Sequence, residues 1–412
     1  MSYPTALDRR FSAALDRPSF NAAPAAVAAA LIAFGAIYLN QAVSGRQALL
    51  FLVGAAGGVV LYHASFGFTS SWREFLVHGR GAGIRAQMLM LALTCLMFFP
   101  ALGVGHVGTQ IVRGSVSPVG VSVAVGAFLF GVGMQLGGGC ASGTLYTAGG
   151  GNTRMLATLI AFVAGSVLGT AHAPWWSATP AARPMSLVTM LGPYAGLAVS
   201  LALFVAIAGL SILIERRAPD DRGGSRDLAE APEARRRQAS GTRRLFQGPW
   251  PLVAGAVGLA LVNIATLCLS GRPWGITSAF ALWGAKAASA AGVNVAAWPY
   301  WSAPPQAASL KAGVIFDVTS VMDVGIVLGA LAAAGLAGRF APTWRVPARS
   351  LAAALVGGLF LGYGARIAYG CNIGAYFSGI ASGSLHGWLW MVAAFGGNAA
   401  GAHLRPIFGL RR

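Results

Sequence analysis

Residues 131–143 read Gly-Val-Gly-Met-Gln-Leu-Gly-Gly-Gly-Cys-Ala-Ser-Gly, and residues 362–374 read Gly-Tyr-Gly-Ala-Arg-Ile-Ala-Tyr-Gly-Cys-Asn-Ile-Gly. Both follow the pattern Gly-x-Gly-x₅-Gly-Cys-x₂-Gly, and every shared position is separated by 231 residues, so the segments form an internal repeat. A small ligand can approach a thiol flanked by glycines, because glycine has no side chain to shield sulfur or backbone. Both segments lie in apolar sequence. They therefore predict two matching thiol sites inside a membrane protein.

Composition supports the membrane assignment. Hydrophobic residues make up 56% of the 412 residues and charged residues 10%, with a mean hydropathy of +0.65, whereas soluble domains carry about 25% charged residues. The net charge of +18 comes from arginine, since Lys286 and Lys311 are the only lysines. Basic loops that follow the positive-inside rule explain this charge better than nucleic-acid binding, for which the sequence has no motif. The lipid bilayer is the expected partner, and nucleic acid is not.

Ten apolar runs are close to the roughly 20 residues that a helix needs to cross a bilayer. They predict spans at 23–43, 47–63, 86–105, 117–137, 154–172, 189–213, 250–270, 316–337, 349–369 and 384–403. Four Gly/Ser/Thr-rich stretches are too short to cross and are predicted to be re-entrant helices, at 64–77, 139–150, 272–288 and 371–382. The expected fold class is an all-α polytopic membrane protein.

The charged segment 215–248 is a linker that divides the chain into two membrane halves. If this basic segment is cytoplasmic, both termini are cytoplasmic too, because six predicted spans precede it and four follow. Five crossings separate the start of repeat one (47–172) from the start of repeat two (250–403), so the repeats are predicted to be inverted. The predicted organisation is an N-terminal tail (1–22), a first membrane half (23–214), the linker (215–248), a second membrane half (249–404) and a C-terminal tail (405–412).

The two motif cysteines are the first candidates for a functional site. A free cysteine often packs as a small buried hydrophobe, and we expect that role for Cys95 and Cys268, which break the repeat. Equivalent cysteines with glycines on both sides favour function at Cys140 and Cys371. The remaining candidates for the substrate pathway are their flanking glycines and two potential hydrogen-bond donors: Gly139, Gly143, Gly370, Gly374, Ser142 and Asn372.

Three charged residues in or beside predicted spans are further candidates. Arg366 precedes Cys371 by five residues and is predicted to attract an anion, with snorkelling to the interface as the structural alternative. Asp323 lies within a predicted span and Asp317 near its start, which makes both candidates for proton coupling. Pairing of Asp323 with Arg366 or Lys311 is the alternative. No His/Cys spacing predicts a metal site, and no cofactor motif or enzymatic constellation is present.

The two Gly-Cys segments resemble the YeeE/YedE family, the sulfur-transport domain family of bacterial inner membranes. The resemblance implies a pseudo-symmetric helical body and thiosulfate uptake, with Cys140 and Cys371 as relay thiols that pass the anion through S–H···S contacts. Better-known members carry a third cysteine in the first re-entrant stretch, where this chain reads His63-Ala-Ser-Phe-Gly-Phe-Thr. Another sulfur or selenium species therefore remains an alternative substrate.

The expected function is uptake of a small inorganic sulfur anion, thiosulfate first, through the bacterial inner membrane. Moving a dianion inward against 100 mV costs about 4.6 kcal/mol, at about 2.3 per charge, so either proton coupling or rapid consumption of the anion is required. The alternative from another class is a redox or sulfurtransferase component that carries persulfide on the two cysteines. A soluble sulfurtransferase on the cytoplasmic face is a candidate partner.

Overall fold

The computed structural model describes residues 21–217, 242–342 and 344–411; most of the predicted N-terminal tail (1–22) and of the linker (215–248) lies outside them. The helices are α1 (Ala22–Ala42), α2 (Gly45–Ala64), α3 (Phe68–His78), α4 (Ala82–Val104), α5 (Val121–Gly137), α6 (Ala141–Gly149), α7 (Thr153–Ala171), α8 (Ala173–Ser177), α9 (Leu187–Leu191), α10 (Pro193–Arg217), α11 (Thr242–Gln247), α12 (Leu252–Ser270), α13 (Thr277–Ala290), α14 (Pro299–Ser302), α15 (Pro304–Lys311), α16 (Val318–Leu336), α17 (Ala348–Ile367), α18 (Ser378–Ala381) and α19 (Leu385–Leu404). A π-helix covers Asn372–Phe377, and 3₁₀ turns cover Val295–Ala297, Val314–Phe316 and Arg405–Phe408. Strands are limited to two short antiparallel pairs, His106–Val107 with Gln110–Ile111 and Val119–Gly120 with Ala181–Ala182.

The chain is an all-α polytopic membrane protein, as the composition predicts. Among the described residues, nine helical segments are long and apolar enough to cross a membrane. The tenth predicted span is α19, a 20-residue helix that is not among the nine and carries buried His386 and Asn398. It packs against α5. The helices α1 and α10 are the least buried of the nine, so their apolar side chains are expected to face lipid.

Equivalent helices of the two repeats pack antiparallel to one another, as inverted repeats require. A Cβ atom built on Gly126 of α5 would lie 2.8 Å from the carbonyl oxygen of Gly364, and one on Gly133 would lie 2.8 Å from that of Gly357. Residue numbers therefore rise along α5 as they fall along α17. The helices α2 and α12 run past each other in the same antiparallel way, with Val262 beside Gly57 and Val60 beside Gly258.

The helix that precedes each thiol also packs parallel to the last helix of the opposite repeat. The helix α17 packs parallel to α7, with Leu359 against Gly165, and α5 packs parallel to α19, with Ala394 against Gly131. The first glycine of each motif, Gly131 or Gly362, faces the backbone of the neighbouring helix in these interfaces, and the second, Gly133 or Gly364, lies in the interface between α5 and α17. Their function is therefore close helix packing, and only the later glycines of the motif border the thiols.

Aromatic side chains attach each short re-entrant helix to the opposite repeat. Trp72 of α3 contacts Tyr376 and Trp390 of repeat two, with ring centroids 5.8 and 6.5 Å away. Phe280 of α13 contacts Phe162 of repeat one at 4.9 Å. These rings are buried, so the short helices are held within the protein rather than in lipid.

One connection breaks the pseudo-symmetry of the repeats. In repeat one, only residues 79–81 join α3 to α4, whereas residues 291–317 join the equivalent helices α13 and α16. We call residues 291–317 the excursion. The Trp301 indole N–H anchors it by donating to Thr170 Oγ1 at 3.1 Å, and the Lys286 ammonium donates to the carbonyls of Leu310 and Ala312, each at 2.7 Å. The excursion therefore belongs to one face of the molecule only.

Candidate functional site

The first thiol caps a short helix. The helix α5 ends at Gly137, and Gly138 takes a left-handed conformation (φ 90°) that turns the chain back into the protein. Cys140 is then the extended N-cap residue of α6 and is 2% exposed. Its Sγ accepts a hydrogen bond from the Gly143 backbone N–H at 3.4 Å and lies 3.3 Å from the Ser142 hydroxyl. The thiol therefore points at the positive end of a helix.

The second thiol repeats this arrangement with small differences. The helix α17 ends at Ile367, and the turn uses positive φ angles at Tyr369 (59°) and Gly370 (150°). Cys371 is fully buried with extended backbone, and it caps the π-helix. π-Helical turns are frequent at functional sites. Next to it, Asn372 is also fully buried, and neither polar atom of its side-chain amide has a partner among the described residues.

The glycines that border the thiols fall into two groups. A Cβ atom on Gly370 would lie 2.7 Å from the Ala375 backbone nitrogen, and one on Gly139 would lie 3.2 Å from the Gly143 carbonyl carbon, so both are needed for the turn itself. In contrast, a Cβ atom on Gly143 would meet only the Cys140 sulfur, at 3.5 Å. One on Gly374 would meet nothing closer than 4.0 Å. Gly143 and Gly374 therefore leave free space beside the thiols.

The two thiol segments meet inside the protein. The helix α6 contacts the π-helix, and both cysteines belong to one cluster of buried side chains. Met322 of α16, the residue before Asp323, belongs to the same cluster. Residues that are 231 positions apart in sequence, on opposite repeats, therefore share one buried region.

The two candidate aspartates have different surroundings. Asp317 caps α16, since one of its carboxylate oxygens accepts hydrogen bonds from the Ser320 N–H at 2.8 Å and from the Ser320 hydroxyl at 2.6 Å. Asp323 is fully buried, and neither carboxylate oxygen has a partner within the described part of the chain. The pairing of Asp323 with Arg366 or Lys311 considered from sequence is therefore not present.

Two cavities lie side by side on the face that carries the excursion. The first, about 550 Å³, is called the Asp317 cavity, and its lining includes Arg272, Gly275, Ser278, Asp317, Thr319 and Met322. The second, about 480 Å³, is called the Arg366 cavity, and its lining includes Gly169, Trp176, Arg366, Ile367 and Tyr369. Tyr300 and Gln306 of the excursion line both cavities and separate them.

Arg366 is half-buried and stacks over the Tyr300 ring, with its guanidinium carbon 5.1 Å from the ring centroid. This cation–π contact holds the charge at the wall between the two cavities. In the part of the chain that the structure describes, no acidic side chain lines the Arg366 cavity, in contrast to its neighbour. The position therefore suits an anion, and the role of Arg366 as an anion attractor stays a prediction.

Two arginines that the sequence analysis does not single out bind the C-terminal end of α5. The Arg154 guanidinium donates to the carbonyls of Leu136 and Gly137 at 2.6 and 2.9 Å, and Arg405 donates to that of Gln135 at 2.7 Å. Burial and, to a smaller extent, the positive charges of Arg73 and Arg154 lower the pKa of Arg405 to about 10, so the guanidinium stays charged at neutral pH. The available signal was the preference of basic side chains for helix C-termini.

Comparisons with known proteins agree with this architecture. The profile of a family described as Sulphur transport matches residues 63–400, which is most of the chain. The chain belongs to the Sulphur transport family. A thiosulfate transporter, TsuA, from Spirochaeta thermophila is 27% identical over 362 residues, covering 84% of this chain and 95% of that protein.

Two further relatives of this Sulphur transport protein are both named probable transporter YedE. The protein from Escherichia coli is 29% identical over 161 residues, and the one from Salmonella typhimurium is 30% identical over 165 residues. These matches cover 39% and 40% of this chain and 39% of each relative, so they span about two fifths of the YedE length. The relatives are named as transporters, which agrees with the absence of an enzymatic motif in the sequence.

In this Sulphur transport protein, aromatic residues at the start of the first re-entrant helix occupy the region where the resemblance implies a third cysteine. Phe66 and Phe68 are buried and contact each other with ring centroids 5.7 Å apart. Phe68 also contacts Tyr376 of the π-helix at 6.0 Å. Beside them, Thr69 is buried with an unpartnered hydroxyl among the described residues. Two buried aromatic rings and the Thr69 hydroxyl therefore occupy this position in place of a thiol.

Proposed function

We propose that this protein takes up a small inorganic sulfur anion through the bacterial inner membrane, with thiosulfate as the first candidate. The observation that carries the proposal is the contact between the two thiol-capped segments, one from each repeat, in the middle of a Sulphur transport family fold. The name of the TsuA relative supports thiosulfate over other sulfur anions. Selenium species and other sulfur anions are the competing substrates.

In the proposed pathway the anion leaves the Arg366 cavity, contacts Cys371 and then Cys140, and is released on the opposite face. A neutral thiol is a weak hydrogen-bond donor. It can hold a soft sulfur atom loosely enough for release, which conduction requires. The N–H groups at the start of α6, the Ser142 hydroxyl and the free amide of Asn372 supply further donors to an anion at these sites.

Uptake of radiolabelled thiosulfate into proteoliposomes tests this function. We expect Cys371→Ser and Cys140→Ser to lower the initial rate by at least about tenfold, which corresponds to about 1.4 kcal/mol. The matched control is Cys268→Ser, because Cys268 lies outside both motifs and is only partly buried. Competition for this uptake by excess unlabelled thiosulfate, sulfate or selenite outside the vesicles shows which of these anions the protein prefers.

The persulfide alternative makes the opposite prediction for the same preparation. A sulfur carrier would acquire a stable sulfane adduct on Cys140 or Cys371, visible by mass spectrometry, and would move no label into the vesicles. That result would overturn the transport proposal. Equal uptake by the wild type and both motif variants would overturn the role of the thiols but not transport itself.

A further inference from the structure

Asp323 is an uncompensated acid inside a membrane span. The carboxyl group is fully buried, and both oxygens lack a partner among the described residues. An ionised carboxylate without a cation or hydrogen-bond donor is strongly disfavoured in such a site. We therefore expect the resting group to be the neutral acid.

Among the residues whose side chains the structure describes, no neighbouring element supplies a counter-charge at the level of Asp323. The nearest charged group on its own element is Asp317, six residues earlier, and Lys286 of α13 is bonded to two carbonyls of the excursion. Arg46 lies in the first turn of α2 on the protein surface, and His63 lies near the far end of that helix, where α11 also ends. The other titratable side chains on elements packed against α16 are Tyr38, Tyr62, Cys140 and Tyr146.

A short route joins Asp323 to the Asp317 cavity. Thr319 precedes Asp323 by four residues and therefore lies on the same face of α16, about 6 Å nearer the cavity. The Ser278 hydroxyl donates to Thr319 Oγ1 at 3.1 Å, and both side chains line the cavity. This pair of hydroxyls and one turn of helix separate the cavity from the buried acid.

Asp323 also approaches the proposed anion pathway, because α16 packs against the thiol-capped helix α6 and the adjacent residue Met322 belongs to the same buried cluster as Cys140 and Cys371. A carboxylate here would repel an anion at the thiol, whereas the neutral acid would not. The excursion separates the cavity that leads to Asp323 from the cavity that holds Arg366. Among the described residues, the lining of the first cavity carries both a basic and an acidic side chain, Arg272 and Asp317, whereas Arg366 is the one charged side chain in the lining of the second.

We infer that the two cavities are separate entrances, the Arg366 cavity for the sulfur anion and the Asp317 cavity for a proton that Asp323 carries with it. The anion occupies the Cys371 site only while Asp323 holds its proton, and both then leave on the opposite face. No covalent bond changes in this cycle. The inference rests on the proposed function and adds its coupling ion.

Proteoliposomes that enclose a pH-sensitive dye test the coupling when an inward gradient of thiosulfate is applied. The wild type should acidify the interior as label enters, and its uptake should fall as the external pH rises, because Asp323 must be protonated. Asp323→Asn is permanently neutral, so it should admit the anion without acidification and lose the pH dependence. Thr319→Val should slow coupled uptake without changing the proton-to-anion ratio.

Two controls separate this inference from a structural role. Ser302→Ala lies in the excursion outside the lining of both cavities and removes the hydrogen bond that its hydroxyl donates to the Pro299 carbonyl, so it should leave rate and coupling unchanged. Arg366→Gln should raise the KM for thiosulfate about tenfold at an unchanged proton-to-anion ratio, whereas Arg183→Gln, an exposed arginine away from both cavities, should not.

The outcomes are distinguishable. Thiosulfate entry into wild-type vesicles without acidification would overturn the proton route and leave the proposed function standing. Acidification that persists in Asp323→Asn would overturn the assignment to this residue, and a wild-type rate in Thr319→Val would overturn the route if Asp323→Asn does not fold. The absence of any anion flux in the wild type would overturn the proposed function and the inference together.

Discussion

At the residue scale, the turn before each thiol depends on one left-handed backbone position. Repeat one has Gly138 there (φ 90°), and repeat two has Tyr369 at the equivalent position (φ 59°). A left-handed conformation costs an L-residue roughly 1–2 kcal/mol, and glycine avoids that cost. We therefore expect Tyr369→Gly to stabilise the protein by about 1 kcal/mol, measured as a rise in the thermal unfolding midpoint in detergent.

The reciprocal substitution and a matched control complete this prediction. Gly138→Ala should destabilise the protein, because it adds backbone strain and places a Cβ atom 2.6 Å from the Arg154 guanidinium. Gly105→Ala carries the same positive φ in open space, so it measures the backbone cost alone. A lower unfolding midpoint for Tyr369→Gly would mean that contacts of the Tyr369 ring outweigh the strain.

The residues of the candidate site differ in how far the sequence could predict them. Cys140 and Cys371 stand out because the repeat duplicates both the thiol and its glycines. The packing of Gly131 against Ala394 could not be predicted, because the two residues are remote in the chain. The capping of α16 by Asp317 has a local signal, an acidic residue at the start of an apolar run. This signal distinguishes Asp317, a helix cap, from Asp323, which lies within the span.

At the scale of elements, the contact between α2 and α16 depends on the absence of side chains at matching positions. A Cβ atom on Gly58 would overlap the Ile326 carbonyl oxygen, and one on Gly329 would overlap that of Ala55. Gly58→Ala must therefore separate two helix backbones, and we expect a loss of about 1–3 kcal/mol of stability. The measurement is again the unfolding midpoint in detergent.

Gly209→Ala is the matched control for Gly58→Ala. It also replaces a helical glycine, in α10, but no atom lies within 4 Å of the new Cβ. Removing glycine from a helix interior is favourable by about 0.5–1 kcal/mol, so this variant should be as stable as the wild type or more so. Equal effects of the two substitutions would contradict the close approach of α2 and α16.

Helix positions were predictable from hydropathy to within a few residues, and the short helices from their length and glycine content. The span predicted at 117–137 begins at Val121, because the strand Val119–Gly120 and an extended segment precede it. The predicted re-entrant stretch 272–288 is α13, at Thr277–Ala290. The excursion was not recognised as a structural unit. Its 3₁₀ turns and short helices have no long apolar period, so hydropathy does not distinguish it from an ordinary loop.

At the scale of the whole molecule, the inverted relationship follows from an odd number of crossings between repeats, and the antiparallel packing of α5 and α17 agrees with it. The two cavities could not be predicted in this way. They form where the excursion covers one end of an otherwise two-fold arrangement, so they depend on the departure from symmetry. A pathway with different entrances for anion and proton requires such a departure, because strict symmetry would give both faces the same lining.

The orientation of the molecule in the membrane is the last prediction. The helix α7 runs parallel to α17, so the loop after α7, with Arg183, and the loop before α17, with Trp344, lie at opposite faces; both residues are exposed. The basic linker predicts that the Trp344 loop is cytoplasmic. In a Cys268→Ser background, a membrane-impermeant maleimide added to intact cells should label Arg183→Cys and reach Trp344→Cys only after permeabilisation. Labelling of both from the same side would contradict the inverted repeats, and the reverse pattern would place the excursion and its two cavities on the cytoplasmic face.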